Sequence, residues 1–306
     1  MIETFLQVLP HGITLSCRAA GEPGRPVLLF LHGFPEAAFV WDELLAHFAQ
    51  PQHGGYRCVA PNLRGYEHSS APTEVAAYRA KPLVQDLAAL IEVITQDSPT
   101  PGQLACLVAH DWGGALAWSV AAQLPAAMRQ LAIVNAPHPA TFQRELANSP
   151  AQQASSAYMN FLARPDAPAL LAENDFARLW PFFTNMAADR GPMAWLDGAT
   201  RARYREVWCL GLYGPCGYYA ASPLRPPTAS DPGATAVQLP RERAAVNVPT
   251  LVIWGLGDTA LPEALLDGLD GYVGDLRIER VPRATHWIVH EQPQQVAALI
   301  GAFLRA

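Results

Sequence analysis

Three residues have the types and the chain order to attack, to act as a base and to orient that base: Asp111, His286 and Asp258. Asp111 sits in "AHDWGG", after the short apolar run "LACLVAH" and before "GALAWSVAAQLP", whose helix formers stop at Pro125. This places a carboxylate at a strand-turn-helix junction. Ala109 before it, and Gly113 and Gly114 after it, leave room for a backbone tight enough to hold the intervening side chain in strained exposure. Such a junction is a nucleophile elbow, with Asp where Ser is commoner. The plainer alternative is an aspartate that caps the following helix. The other motifs have to decide between the two.

An elbow nucleophile on a sheet needs a general base, and the base needs an acid to fix its tautomer, in the chain order nucleophile, acid, histidine. Asp258, in "WGLGDTAL", lies just past a strand-like run, at the end of the sheet where ligands bind in open α/β folds. His286, in "PRATHWIVHEQP", follows the last strand-like run and precedes the last helix. Taken singly, Asp258 reads as a turn residue and His286 as a packing or surface histidine. Order and placement together select them. His290 competes with His286, and the two stand four apart as zinc ligands on a helix would. Yet "HWIVH" lacks the glutamate of an HExxH site and has no evident third ligand, so no metal is expected. The turn "HGFPE" follows another buried strand, and Gly33 lets its backbone approach the elbow. An oxyanion hole beside such an elbow uses one N–H just after the nucleophile and one from an early loop. Those are the backbone N–H groups of Trp112 and Phe34.

The elements that must position these residues alternate. After an opening hairpin, "TFLQVL" and "ITLSCRA" around "PHG", come the strand "PVLLFLHGF", the helix "EAAFVWDELLAHFAQ", the strand "YRCVAPNLRG" and the helix "AKPLVQDLAALIEVITQ". The Asp111 unit and the strand "QLAIVNAP" follow. Alternation resumes at "PTLVIWGLGD", continues with "LRIERVP" and closes with the helix "PQQVAALIGAFLRA". The pattern predicts an α/β fold with a mostly parallel sheet and helices on both faces. Residues 137–244 have a different texture, rich in helix formers and in aromatics such as Trp180, Phe183, Trp195 and Trp208, and exit through the Pro-rich "SPLRPPTASDPGATAVQLP". They read as an inserted helical cap with a small core of its own, leaving 1–136 and 245–306 as the two parts of the main domain.

Composition narrows the function classes. The 306 residues are 50% hydrophobic and 16% charged, as expected of a folded globular chain. A net charge of −6 without a basic run gives no footprint for nucleic acid or an anionic membrane surface. Lys81 is the only lysine, which leaves almost no material for Schiff-base chemistry or a phosphate-gripping loop. The five cysteines form no CxxC pair, and the N-terminal stretch lacks a basic region followed by an apolar one. No apolar run approaches the roughly eighteen residues of a membrane span. A reducing, cytoplasmic location and small-molecule partners are the expectation, with self-association left open.

"HGFPE", "AHDWGG", "WGLGD" and "THW" in this order, with a helical cap between the second and third, make the chain resemble the α/β-hydrolase epoxide hydrolases over nearly its whole length. The resemblance implies the α/β-hydrolase fold with an eight-stranded sheet, Asp111 as nucleophile, and two cap tyrosines that hold and protonate the epoxide oxygen. "SSAYMNFLARPD" resembles the stretch that carries the first and implies Tyr158; "YGPCGYYAAS" resembles the second and implies Tyr219, with Tyr218 one residue away. Gly217 and Ala220 replace the Asn and Arg often found beside the second tyrosine. The expected reaction turns an apolar epoxide and water into a vicinal diol through an ester on Asp111, with no cofactor. Haloalkane and haloacid dehalogenases share the Asp elbow and are the alternative. Phe34, however, stands where a halide-binding Asn is common, and no basic residues flank the nucleophile to grip a haloacid. A ligand-binding member that has ceased turnover is a third reading.

Overall fold

In the computed structural model, which describes residues 1–186 and 193–306, eight strands form one sheet. They are β1 (Glu3–Val8), β2 (Thr14–Ala20), β3 (Val27–Leu31), β4 (Arg57–Pro61), β5 (Cys106–His110), β6 (Leu131–Val134), β7 (Thr250–Gly255) and β8 (Leu276–Val281), in the order β1-β2-β4-β3-β5-β6-β7-β8. β2 runs against both of its neighbours, and every pair from β4 to β8 is parallel. Every residue of β3, β5, β6 and β7 is buried, as a parallel sheet covered on both faces requires. The edge strands β1 and β8 carry exposed residues in their burial patterns.

The sheet is crossed over by α1 (Asp42–Phe48), α2 (Ala80–Ile94) and α3 (Asp111–Gln123). Of the expected helix 36–50, only its second half is α-helical; Ala38–Trp41 forms a tighter 3₁₀ turn. All four residues of that turn are buried, and Ala38 N–H leaves the helical ladder to donate to Asn62 Oδ1 at 2.8 Å. Packing and a side-chain acceptor therefore override the local helix preference.

Between β6 and β7 the described residues form no strand of the sheet. Helices α4 (Pro139–Asn148), α5 (Pro150–Ser155), α6 (Tyr158–Leu162), α7 (Ala167–Phe176), α8 (Trp180–Asn185), α9 (Gly198–Cys209), α10 (Tyr213–Ala221) and α11 (Arg241–Ala244) fill this stretch, and α12 (Ile288–Glu291) and α13 (Pro293–Leu304) end the chain. The aromatics expected to form a separate small core do not. Phe183, Tyr204 and Trp208 belong to the same buried cluster as Phe30, Trp41 and Trp287 of the sheet layer. Phe183 lies 4.6 Å from Trp287, centroid to centroid. Rings this large are buried more completely against a neighbouring apolar layer than against one another alone. Among the described residues, no helix is long and apolar enough to cross a membrane.

Candidate active site

The loops that leave the C-terminal ends of β3, β5, β6, β7 and β8 converge, and the strand order reverses between β3 and β5, where ligands of open α/β sheets bind. β5 ends at His110, and Asp111 opens α3 with φ +48°, a left-handed value uncommon for a side chain other than glycine's. The neighbours have to be small for this to fit. A Cβ on Gly113 would meet His32 O at 2.6 Å, one on Gly114 the Ala136 Cβ at 2.2 Å, and one on Gly33 the Asp111 Oδ1 at 2.2 Å. The three glycines therefore let the turn close, the helix pack and the "HGFPE" loop reach the carboxylate.

Phe34 N–H donates to Asp111 Oδ1 at 2.7 Å. Trp112 N–H lies in the first turn of α3, where no intrahelical acceptor exists. Opposite them, His286 Nε2 stands 3.6 Å from Asp111 Oδ2, and its Nδ1 lies 2.7 Å from Asp258 Oδ2. Asp258 is fully anchored: its Oδ1 accepts from Ala260 N–H and Leu261 N–H, both at 2.9 Å. Burial alone would depress the His286 pKa, but the charge of Asp258, its hydrogen bond to the ring and the nearby Asp111 carboxylate raise it to about 10. The same contacts act on Asp111. Burial would raise its pKa, but the His286 ring facing it as an ion pair, with Phe34 N–H, brings it below the usual value. At neutral pH the resting pair is carboxylate and imidazolium.

Asp111, Trp112, Phe142, Tyr158, Met159 and Tyr219 line a cavity of about 70 Å³ between the sheet and the helical insertion. Tyr158 opens α6, and Tyr219 lies in α10. Their rings are 6.1 Å apart. Burial, and then the charge of Asp111 for Tyr158, pushes that phenol far up; Tyr219 rises from burial and from its neighbours Tyr158 and Asp111. Both phenols keep their protons at neutral pH. Tyr218 points elsewhere, its hydroxyl donating to Arg64 O at 2.9 Å. A larger open groove of about 730 Å³, bounded by His11, Gln85, Glu92 and Leu124, contains none of these groups.

Sequence reasoning missed Asn135, Glu36, His110 and Tyr204 as residues that support the site. Asn135, after β6, donates from Nδ2 to Asp258 Oδ2 at 2.9 Å and accepts from Gly255 N–H at 2.9 Å, with φ +40°. A polar residue ending the apolar run "LAIVN" was its signal. Glu36 is completely buried and meets His110 Nδ1 at 3.0 Å, His290 Nε2 at 2.9 Å and Tyr204 Oη at 3.2 Å. Burial would raise its pKa, yet the two histidine contacts bring it well below the ordinary carboxylate range. His110 Nε2 reaches His286 O at 2.9 Å, so this cluster touches the backbone of the base. His290 thus serves the Glu36 cluster and stacks on Trp195 at 4.2 Å. Its distance from Glu in sequence concealed this.

A strained aspartate at the first turn of a helix, facing a histidine-aspartate pair on a β2-reversed parallel sheet, defines an α/β-hydrolase. Residues 26–293 match the α/β-hydrolase fold family. The chain is 33% identical to epoxide hydrolase 3 of Xenopus tropicalis over 98% of its own length and 77% of that protein. Among solved structures, an epoxide hydrolase from metagenomes of hot environments superposes with a TM-score of 0.85 at 35% identity, covering 99% of each chain. The Bacillus megaterium epoxide hydrolase in complex with an inhibitor gives a TM-score of 0.86 at 27% identity, covering 99% of this chain and 100% of that one. The chain belongs to the α/β-hydrolase family, in its epoxide hydrolase-like branch, and is a hydrolase.

Proposed function

We propose that the protein hydrolyses an apolar epoxide to a vicinal diol, with Asp111 as nucleophile, His286 as base, Asp258 as its orienting acid and Tyr158 and Tyr219 as ring-opening acids. The observation that carries this reading is the pair of protonated phenols lining the same small cavity as the Asp111 carboxylate. A carboxylate can displace at a saturated carbon, and the departing alkoxide needs a proton donor within a dry cleft. In the first step Asp111 Oδ2 bonds to an epoxide carbon while the C–O bond opens and a tyrosine proton moves to the oxygen. The imidazolium proton of His286 returns the tyrosinate to a phenol, and in the second step the neutral ring takes a proton from water, whose hydroxide adds to the Asp111 ester carbonyl. The N–H groups of Phe34 and Trp112 receive the oxyanion there. Collapse expels the diol as its alkoxide, which takes the proton of the added hydroxyl, and this restores the Asp111 carboxylate beside the His286 imidazolium.

In this reading residues 137–244 are a cap that supplies the acids and excludes water, on a core made of 1–136 and 245–306. The inference is tested by assaying the protein and Asp111→Asn against styrene oxide, aliphatic epoxides, a haloalkane and a haloacetate, following diol and halide. Diol from epoxides, lost in Asp111→Asn, is the expected result. Halide without diol would replace this reading with dehalogenation, and binding without any Asp111-dependent product would replace it with a receptor.

A further inference from the structure

The donor aimed at Asp111 rides on a loop with little secondary structure, so something must hold that loop. From the sheet side, His32 does part of this: burial lowers its pKa to about 4, and the neutral ring accepts from Leu63 N–H at 3.1 Å and donates from Nδ1 to Gly33 O at 2.9 Å. The other side is held by α9 of the helical insertion. Trp208 Nε1 donates to Pro35 O at 2.7 Å, one residue beyond the peptide whose N–H meets Asp111. One turn earlier on the same helix, Tyr204 Oη reaches Glu36 Oε1 at 3.2 Å. Arg203 lies 4.1 Å over the Phe39 ring and pairs with Asp42 at 3.1 Å. The Trp208 indole cannot swing freely. It is 3% exposed and packed against Trp180 at 4.6 Å, Tyr204 at 5.4 Å and Phe176 at 5.5 Å.

We infer that Trp208 is a positioning residue for the oxyanion donor: its indole N–H fixes the 33–36 turn from the cap side, and thereby the aim of Phe34 N–H at Asp111. The cap then braces half of the oxyanion hole in addition to covering the cavity. The kinetic part of this inference rests on the ester mechanism proposed above; the geometric part does not. A donor that is misaimed rather than removed costs less than the loss of an oxyanion-hole group. Ester hydrolysis in Trp208→Phe is therefore expected to slow by roughly 10-fold, with ester formation less affected.

Two readouts test it. In protein labelled with [¹⁵N]phenylalanine, the Phe34 amide proton, identified by its loss in Phe34→Leu, resonates downfield because it donates to a carboxylate. Trp208→Phe moves it upfield, whereas Trp180→Phe, which disturbs the same aromatic stack without touching Pro35, leaves it in place. If Trp208→Phe does not fold, replacing the indole of Trp208 by benzothiophene keeps the shape and removes only the N–H. An unmoved Phe34 amide in a folded variant overturns the brace. In single-turnover kinetics, a wild-type protein that forms no ester on Asp111 overturns the mechanism instead. A wild-type ester that breaks down no faster than that of Trp208→Phe overturns the catalytic consequence.

Discussion

Asp111 and His286 hold each other's charge, and the first step of the proposed reaction dissolves that arrangement. While Asp111 is ionised, the imidazole is held at a pKa of about 10 and carries a proton, which makes it a poor base. Esterification removes the Asp111 charge and leaves burial opposed by Asp258, so the imidazolium can give its proton to the tyrosinate left by ring opening and then accept one from water. His286→Gln should therefore still form the ester but hydrolyse it about 10²–10⁴-fold more slowly, so that an Asp111 adduct accumulates and is visible by mass spectrometry. Rapid turnover by that variant would contradict the assignment. The same shift has a stability consequence with a defined sign. The folded pKa lies above the ordinary 6.5, so the stabilisation is fully present below pH 6.5 and is lost as pH rises towards about 10. The melting-temperature advantage of wild type over His286→Gln should shrink across that window and not below it. Tyr158→Phe and Tyr219→Phe act earlier: each should slow ester formation roughly 10–100-fold, and the double variant should be nearly inert.

At the scale of elements, the site depends on how closely the β3 loop approaches the β5–α3 elbow. Gly33→Ala places a methyl group against Asp111 Oδ1. The nucleophile must move, and a displacement of about 1 Å costs on the order of 10²-fold in rate, while thermal stability falls far less. Asn135→Ala leaves Gly255 N–H and one Asp258 lone pair unmatched in the interior. That change should cost roughly 1–3 kcal/mol in a denaturant titration and loosen the His286–Asp258 pair. The elbow, the acid and the base were legible in sequence because each combines a residue type with a strand end and small neighbours. Asn135, Glu36 and Tyr204 were not. Their partners lie at sequence separations of 74 to 254, and buried polar satisfaction of that kind belongs to the folded sheet rather than to any local pattern. The helix expected over 36–50 was too long for a related reason: Asn62, on another segment, takes the Ala38 N–H.

Across the whole molecule, the helical insertion and the sheet share one apolar cluster, with Trp287 packed between Phe183 and His286 at 4.6 and 4.8 Å. Two separately cored units would melt in two steps, but a shared core should melt in one. Calorimetry is expected to give a single transition, and Trp287→Ala, which removes the shared ring, should lower stability by about 3–5 kcal/mol. A separate low-temperature transition in the wild type would contradict a shared core. The aromatic richness of 137–244 was legible in sequence, but the surface it packs on was not, because composition gives the quantity of apolar area and topology gives its partner.

The covalent role of Asp111 is tested most directly by one turnover in H₂¹⁸O with enzyme in excess over epoxide. If the carboxylate attacks carbon and water attacks the ester carbonyl, the new hydroxyl of the first diol carries ¹⁶O from the protein and the peptide containing Asp111 gains ¹⁸O. A first diol already labelled from solvent, with Asp111 unlabelled, would mean that water opens the ring directly and would contradict the account.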